Sequence, residues 1–190
     1  MCNDKKYSCT FIGHRDINTT KSFEKFLKDF IENLIISKGV KFFNFGMKGG
    51  FNSLCYDIVT NLQKKYTHIE TIAYACLSEA PALKSNVKSN RILQKFLDNH
   101  GFGKLAIYDI VIYPARIQSA GKSSYVQRNY AMIDNSDYCV FFYQDEYVPK
   151  IKIRNGILHS KTSGTKIALK YATKKNKKIF IINEIFKSHY

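Results

Sequence analysis

Strand-like and helix-like segments alternate along almost the whole chain, and this alternation limits the fold more than any single residue does. Short runs rich in aromatic and β-branched residues predict six strands, at 7–12, 40–45, 69–74, 107–112, 138–143 and 178–182. Apolar residues at helical spacing predict helices from about 20 to 39, from 54 to 62, from 92 to about 101, from 125 to 135 and from 164 to 175. Such a succession is typical of a mainly parallel sheet with crossover helices.

The length of 190 residues, with 45% hydrophobic side chains, is enough for one domain with its own core. We therefore predict a single α/β domain over 1–190 with a sheet of about six strands. Two stretches interrupt the alternation. Residues 115–124 are predicted to form a loop, and residues 144–161, which include Pro149 and Gly156, have no clear period and predict an irregular insertion.

A turn of small residues occurs twice, each time before a predicted helix. The first is the segment 45–52, Phe-Gly-Met-Lys-Gly-Gly-Phe-Asn, and the second is 162–165, Thr-Ser-Gly-Thr. Glycine lets backbone N–H groups approach a ligand closely, and the N-terminus of the following helix carries unpaired donors and partial positive charge. These turns therefore predict phosphate binding, with a tight connection that binds no ligand as the alternative.

Further polar residues follow predicted strands. Gly13, His14 and Arg15 come directly after the first strand, and Tyr113 after the fourth. In an open parallel sheet, ligands bind outside the carboxyl ends of the strands, so these loops and the two turns are expected at one edge. Arg15 could clamp a phosphate or pair with a neighbouring acid, and His14 could hydrogen-bond a ribose or a base.

Arg128 and Asn129 belong to the helix that precedes the fifth predicted strand, and this helix begins near the same edge. Both are candidate ligand contacts. Alternatively, Arg128 is a structural partner of Asp134 or Asp137.

The formal net charge is +15, from 30 Lys and Arg against 15 Asp and Glu, which is enough to attract a polyanion. Nucleic acid therefore stays open as a partner. The alternative is that the excess charge comes from lysines on solvated helix faces and is unrelated to function.

The cysteine and hydropathy patterns bear on location. Five cysteines without CxxC spacing, several of them in apolar runs, predict reduced core residues. No apolar run approaches the roughly 18 residues that span a bilayer, and the first residues lack the apolar stretch of a secretory signal. We expect a cytoplasmic protein without a membrane partner, and a homo-oligomer stays open.

With these motifs together, the chain resembles the YpsA-like branch of the SLOG superfamily, which includes LOG phosphoribohydrolases and the DNA-processing protein A. The resemblance covers nearly the whole length. It rests on four segments: 13–15 (Gly-His-Arg), 49–52 (Gly-Gly-Phe-Asn), 128–134 (Arg-Asn-Tyr-Ala-Met-Ile-Asp) and 163–165 (Ser-Gly-Thr). It implies a Rossmann-like three-layer sandwich that binds a nucleotide or a nucleotide-derived molecule.

The resemblance also assigns the site by position. One phosphate site would use Gly46, Lys48, Gly49 and Gly50, and a second would use Ser163, Gly164 and Thr165. With the residues argued above, the full set of predicted ligand-binding residues is Gly13, His14, Arg15, Gly46, Lys48, Gly49, Gly50, Asn52, Tyr113, Arg128, Asn129, Ser163, Gly164 and Thr165.

Two departures from the family pattern favour binding over catalysis. The LOG enzymes carry a glutamate that contributes to cleavage of the N-glycosidic bond, and Ala168 stands at that position here. In many relatives an aspartate follows the first turn, where this chain has Asn52. The catalytic residues stay unknown, and no cofactor other than a nucleotide-derived ligand is expected.

The leading hypothesis is a sensor, carrier or sequestering protein for a nucleotide-derived small molecule. A hydrolase of N-glycosidic or phosphoester bonds is the second hypothesis, with candidate carboxylates Asp57, Asp109, Asp145 and Glu146. Single-stranded nucleic-acid binding is the third. No HExxH or CxxC pairing is present, so we predict no metal site.

Overall fold

The structure of the protein, a computed structural model, describes residues 7–46, 49–76, 109–112, 114–147 and 162–189. The predicted helix at 92–101 and the site candidates Lys48 and Tyr113 lie outside the described residues, as do residues 148–161 of the predicted insertion.

Six strands form one sheet in which every neighbouring pair is parallel. The strands are β1 (Ser8–Gly13), β2 (Phe42–Gly46), β3 (Glu70–Tyr74), β4 (Ile110–Ile112), β5 (Tyr138–Phe142) and β6 (Lys178–Ile181). The helices are α1 (Lys21–Lys38), α2 (Gly50–Gln63), α3 (Ala115–Gln118), α4 (Ser124–Asp134), α5 (Gly164–Lys174) and α6 (Ile182–His189).

The ends of α1 show how local sequence sets an element. The Thr20 side chain accepts a hydrogen bond from the Phe23 N–H, which satisfies one of the donors that the first turn leaves open. Gly39 closes the helix with φ 65°, a left-handed conformation that glycine adopts without steric cost.

The helices lie on both faces of the sheet, which makes the predicted three-layer α/β sandwich. On one face, α1, α2 and the start of α6 bury Leu27, Val59 and Ile182 against β1 and β2. On the other face, α4 and α5 bury Met132 and Ala172 against the opposite side of β1 and β5.

Aromatic stacking dominates the centre of the first face. The Phe11 ring stacks on Phe43 at 6.0 Å and on Phe45 at 5.4 Å, and all three side chains are fully buried. Cys9 and Cys55 are buried on this face, and Cys76 and Cys139 on the other. None of the four forms a disulfide, as the sequence predicts for core thiols.

The strand order is β4-β3-β2-β1-β5-β6. The chain first builds outward from β1 to β4 and then returns to the other side of β1 to add β5 and β6. The order therefore reverses between β1 and β5, and a crevice is expected outside the carboxyl ends of these two strands.

Helix α6 is missing from the sequence prediction, which placed Ile182 in the last strand. The helix begins immediately after β6, so the apolar run 179–182 continues across the boundary without a turn signal. Asn183 explains the break, because its Oδ1 accepts from the Tyr143 N–H at 2.9 Å and its Nδ2 donates to the Tyr143 carbonyl at 2.7 Å. The side chain thus fixes the end of β5.

The predicted loop at 115–124 contains the short helix α3 and a 3₁₀ turn at Gly121–Ser123. Segments of three or four residues are too short to show a period, so sequence reasoning missed both. Ile117 anchors α3, since it is 1% exposed and packs in the core beneath α4 and α5.

Two isoleucines of α1 make a matched test of this packing. Ile31 is fully buried, whereas Ile36 is 66% exposed. We expect Ile31→Ala to lower the free energy of unfolding by about 2–5 kcal/mol, and Ile36→Ala to change it by less than about 0.5 kcal/mol. Chemical denaturation of both variants measures the difference. Equal losses would contradict the placement of α1 on the sheet.

Candidate functional site

A cavity of about 460 Å³ opens at the end of β1, in the crevice where the strand order reverses. Residues from five parts of the chain form its wall. They are the end of β1 with the loop after it, the start of α2, the first turns of α4, Tyr147 after β5, and the start of α5.

Most of the predicted site residues line this cavity. They are Gly13, His14, Arg15, Gly49, Asn52, Arg128, Asn129, Ser163, Gly164 and Thr165. Gly46 and Gly50 are described residues that pack directly against two of them, Arg128 and Arg15. The sequence prediction thus brings separate loops to one place, although the binding role of each residue stays a prediction.

The first glycine turn is fastened to the loop after β1. Gly49 precedes α2 with φ 118°, a conformation that strongly favours glycine. The Gly50 N–H donates to the Arg15 carbonyl at 2.7 Å, and a Cβ at Gly50 would lie 2.7 Å from that oxygen. Gly50 is therefore required for close packing, and its N–H is already used by the protein.

Arg128 comes from α4 and lies over the end of β2. A Cβ at Gly46 would stand 2.8 Å from the guanidinium carbon, so the glycine makes room for this side chain. The same guanidinium lies 5.1 Å from the centre of the Tyr125 ring, within cation–π range. Although it lines the cavity, Arg128 is only 6% exposed, and its charge is sheltered from bulk water.

The two carboxylates considered as structural partners of Arg128 have other contacts. Asp134 pairs with Arg116 at 2.7 Å, and Asp137 accepts from the Ser8 backbone N–H at 3.0 Å. Both lie away from the cavity.

His14 is 1% exposed and lines the cavity. The backbone N–H of Gln144 donates to its Nε2 at 2.9 Å, and the Tyr147 ring stacks on its imidazole at 3.8 Å. Burial lowers the pKa of His14 from its ordinary value of 6.5, partly offset by its hydrogen bond with the Gln144 backbone. Nε2 also lies 3.2 Å from the Gln144 carbonyl, so it faces both a backbone donor and a backbone acceptor, and each neutral tautomer of the ring has a partner there.

Asn52 lies in the first turn of α2 and is 8% exposed. Its Nδ2 donates to the Phe11 carbonyl at 2.8 Å, which ties the helix to β1. An aspartate here would place a carboxylate oxygen against that carbonyl, so the amide is the side chain that fits.

The second turn forms the N-terminus of α5. The Ser163 hydroxyl accepts from the Lys166 N–H at 3.1 Å and caps the helix. The first helical N–H groups, those of Gly164 and Thr165, have no acceptor within the helix. A Cβ at Gly164 would meet nothing within 4 Å, so this residue borders open space in the cavity. Helix α5 thus presents donors and partial positive charge to the cavity.

Five residues of the cavity wall are outside the predicted set, namely Phe11, Ile12, Asp16, Tyr125 and Tyr147. Asp16 lines the wall beside Arg15, but nothing in the sequence distinguishes it from a surface acid. Tyr147 falls in the stretch read as an irregular insertion, and its contact with His14 joins residues that lie far apart in the chain.

The candidate catalytic carboxylates do not gather at the cavity. Asp109 lies at the opposite edge of the sheet and accepts from the Thr71 N–H and hydroxyl at 2.6 and 2.8 Å. Burial by itself would raise the pKa of Asp109, but these bonds and one from Gln63 lower it. Asp145 pairs with Lys166 at 2.8 Å, while Asp57 and Glu146 are exposed.

Ala168, at the position of the glutamate in LOG enzymes, is fully buried in the core between α5 and the sheet. No cluster of three or more His, Cys, Asp or Glu side chains suited to a metal ion occurs within the described ranges. Among these same residues, no helix is long and apolar enough to cross a membrane.

A solved structure of DNA processing protein A (DprA) from Streptococcus pneumoniae has a similar fold, with a TM-score of 0.51 and 16% sequence identity. The similarity covers 93% of this chain and 50% of that one, so the chain spans about half the length of that protein. No protein-family profile and no curated protein matches the chain. At this identity the likeness shows a DprA-like fold, and it confirms the predicted fold class.

His14 makes stability depend on pH. Between its lowered folded pKa and about 6.5, the unfolded chain binds a proton that the folded protein excludes. Stability therefore rises with pH through this window, by up to about 1.4 kcal/mol per pH unit, and levels off above it.

We expect His14→Gln to weaken this dependence between pH 5.5 and pH 7, measured by denaturant unfolding at a series of pH values. His68→Gln, at an exposed histidine, is the control and should keep the wild-type profile. An unchanged profile in His14→Gln would show that the imidazole is not held neutral.

Proposed function

We propose that this protein binds a nucleotide-derived small molecule in the cavity at the end of β1 and acts as its sensor, carrier or sequestering protein. The observation that carries the proposal is that groups suited to an anion meet at one cavity. One cavity is bordered by the first turns of α2 and α5, the sheltered guanidinium of Arg128 and the buried imidazole of His14. Helix N-termini and a sheltered arginine favour an anionic group such as phosphate.

The size of the cavity supports a ligand larger than inorganic phosphate. Its 460 Å³ falls in the range of about 300–1,000 Å³ that small-molecule and cofactor sites occupy. The wall also carries the Tyr125 and Tyr147 rings, which supply apolar surface beside the polar groups. This mixture suits a phosphate joined to a sugar and a base.

We infer binding without strong catalysis. Ala168 lies in the core, and a glutamate there would have to bury its charge. Asp109, one of the carboxylates considered for hydrolysis, lies at the amino ends of the strands and accepts a hydrogen bond from the Thr71 N–H. We also propose that the chain belongs to the YpsA-like branch, forms a single domain with an insertion, and is located in the cytoplasm. A homo-oligomer stays open.

Single-stranded nucleic-acid binding is a second candidate, favoured by the formal charge of +15. The structural neighbour is named for DNA processing, and its DprA-like fold is shared. A nucleic-acid partner would contact the lysine-rich surface through its phosphates, and its affinity would fall steeply with salt.

Gly164→Leu tests the small-molecule proposal. A Cβ at this position would meet nothing within 4 Å among the described residues, so we expect the fold to be retained while the leucine occupies ligand space. We expect a nucleotide to raise the melting temperature of the wild type but not of this variant. The measurement is a thermal-shift panel of nucleoside mono-, di- and triphosphates, NAD, ADP-ribose and cyclic nucleotides.

Thr173→Leu is the matched control, because Thr173 is exposed near the other end of the same helix. It should bind like the wild type. If Gly164→Leu retains full stabilisation by the nucleotide, the site lies elsewhere.

A salt series separates the two candidates. A nucleoside monophosphate enclosed in the cavity should lose little affinity between about 50 and 200 mM salt, whereas a DNA contacting several phosphates loses orders of magnitude. The measurement is fluorescence anisotropy with a labelled single-stranded DNA beside calorimetry with the nucleotide. Stabilisation by DNA alone, lost in salt, would reject the cavity as the main site.

A further inference from the structure

Nδ1 of His14 and Oδ1 of Asn52 are buried polar atoms at the cavity that have no hydrogen-bond partner among the residues that the structure describes. Both residues are more than nine-tenths buried, and both line the cavity. A buried polar atom left unpaired costs free energy, so each such atom in a native protein indicates a group that belongs there.

The two neutral tautomers of His14 differ in what Nδ1 requires. Nε2 lies 2.9 Å from the Gln144 N–H and 3.2 Å from the Gln144 carbonyl, so it either accepts from the first or donates to the second. When Nε2 accepts, Nδ1 carries the proton and needs an acceptor from the ligand; when Nε2 donates, Nδ1 needs a donor.

The orientation of the Asn52 amide is fixed by one contact. Its Nδ2 donates to the Phe11 carbonyl at 2.8 Å, so the amide cannot be flipped without setting two oxygens against each other. Its Oδ1 is therefore an acceptor that needs a donor. A fully ionised phosphate offers only acceptors and does not satisfy it.

Hydroxyl groups suit Asn52 together with either tautomer of His14, since each oxygen donates one hydrogen bond and accepts others, and a ribose carries two hydroxyls side by side. The phosphate has a separate place at the first turn of α5, where Ser163, Gly164 and Thr165 border the same cavity. A phosphorylated sugar carries both groups in one molecule.

We propose that His14 and Asn52 bind a ribose hydroxyl of the ligand, so that the cavity selects ribonucleotides over nucleotides that lack this hydroxyl. The proposal rests on the proposed function, since it names the chemical class of the ligand of the same cavity.

The test compares ligands on the unaltered protein. AMP, GMP, CMP and UMP are each titrated by calorimetry beside their 2′-deoxy and 3′-deoxy counterparts. For the base that binds tightest, we expect loss of one of the two hydroxyls to weaken binding about tenfold or more, because His14 and Asn52 are then left unpaired.

The outcomes separate this inference from the proposed function. If the ribonucleotide and both deoxy forms bind equally, the hydroxyl site is overturned while nucleotide binding stands. A base edge also presents donors beside acceptors, and its recognition by His14 and Asn52 would give this same equality. If none of the nucleotides binds, both proposals fail.

A variant tests whether Asn52 is responsible for the preference for ribonucleotides. Asn52→Leu removes the acceptor, and we expect the ratio of deoxynucleotide to ribonucleotide dissociation constants to fall to about one. Asn61→Leu, at an exposed asparagine of the same helix, is the matched control and should keep the wild-type ratio. A full wild-type ratio in Asn52→Leu would overturn the role of Asn52. If this variant does not fold, the ligand series on the wild type decides alone.

Discussion

The end of β1 is held from several sides, and the whole cavity depends on it. Phe51 packs so closely on Gly13 that a Cβ there would stand 2.6 Å from its side chain. Asn52 donates to the Phe11 carbonyl, and Gly50 donates to that of Arg15. The start of α2 is thereby fixed to β1 by packing and by one hydrogen bond, and to the loop after β1 by a second. The part of the cavity wall that these segments form depends on these contacts.

Charged side chains have different roles at the two ends of the strands. At the amino ends, Asp137 and Asp109 accept from backbone N–H groups of Ser8 and Thr71. At the carboxyl ends, Arg128, Asp16 and the first turn of α5 form part of the cavity wall. Helix N-termini lie at this end because crossover helices direct them there.

The fold could be read from the sequence because its signals are local and repeated. The alternation of apolar strands with helical periods located the ends of the described strands to within two residues, except that β4 begins three residues later than predicted, and Gly39 marked the end of α1. Grouping the glycine turns with Gly13, His14 and Arg15 needed only the rule that ligands lie at strand ends. Helix α3 was missed because four residues show no period, and α6 because the apolar run of β6 continues into it without a turn signal.

What the sequence could not show is how the cavity residues use their hydrogen bonds. Asn52 was read as a missing acid, whereas its amide nitrogen is engaged by Phe11. Gly50 was read as a phosphate ligand, whereas its N–H is engaged by Arg15. Both contacts join residues more than 30 positions apart, and no local pattern encodes such pairs.

The end of β5 connects the cavity to α6. Asn183 holds both backbone groups of Tyr143, and the next residue, Gln144, donates its N–H to His14. The hydrogen bonds that dock α6 and the one that holds His14 are thus made by two successive residues of the chain. No residue of α6 is in the wall of the cavity, yet a change in this helix that displaced Asn183 would move the backbone at Tyr143 and, with it, the contact that holds His14.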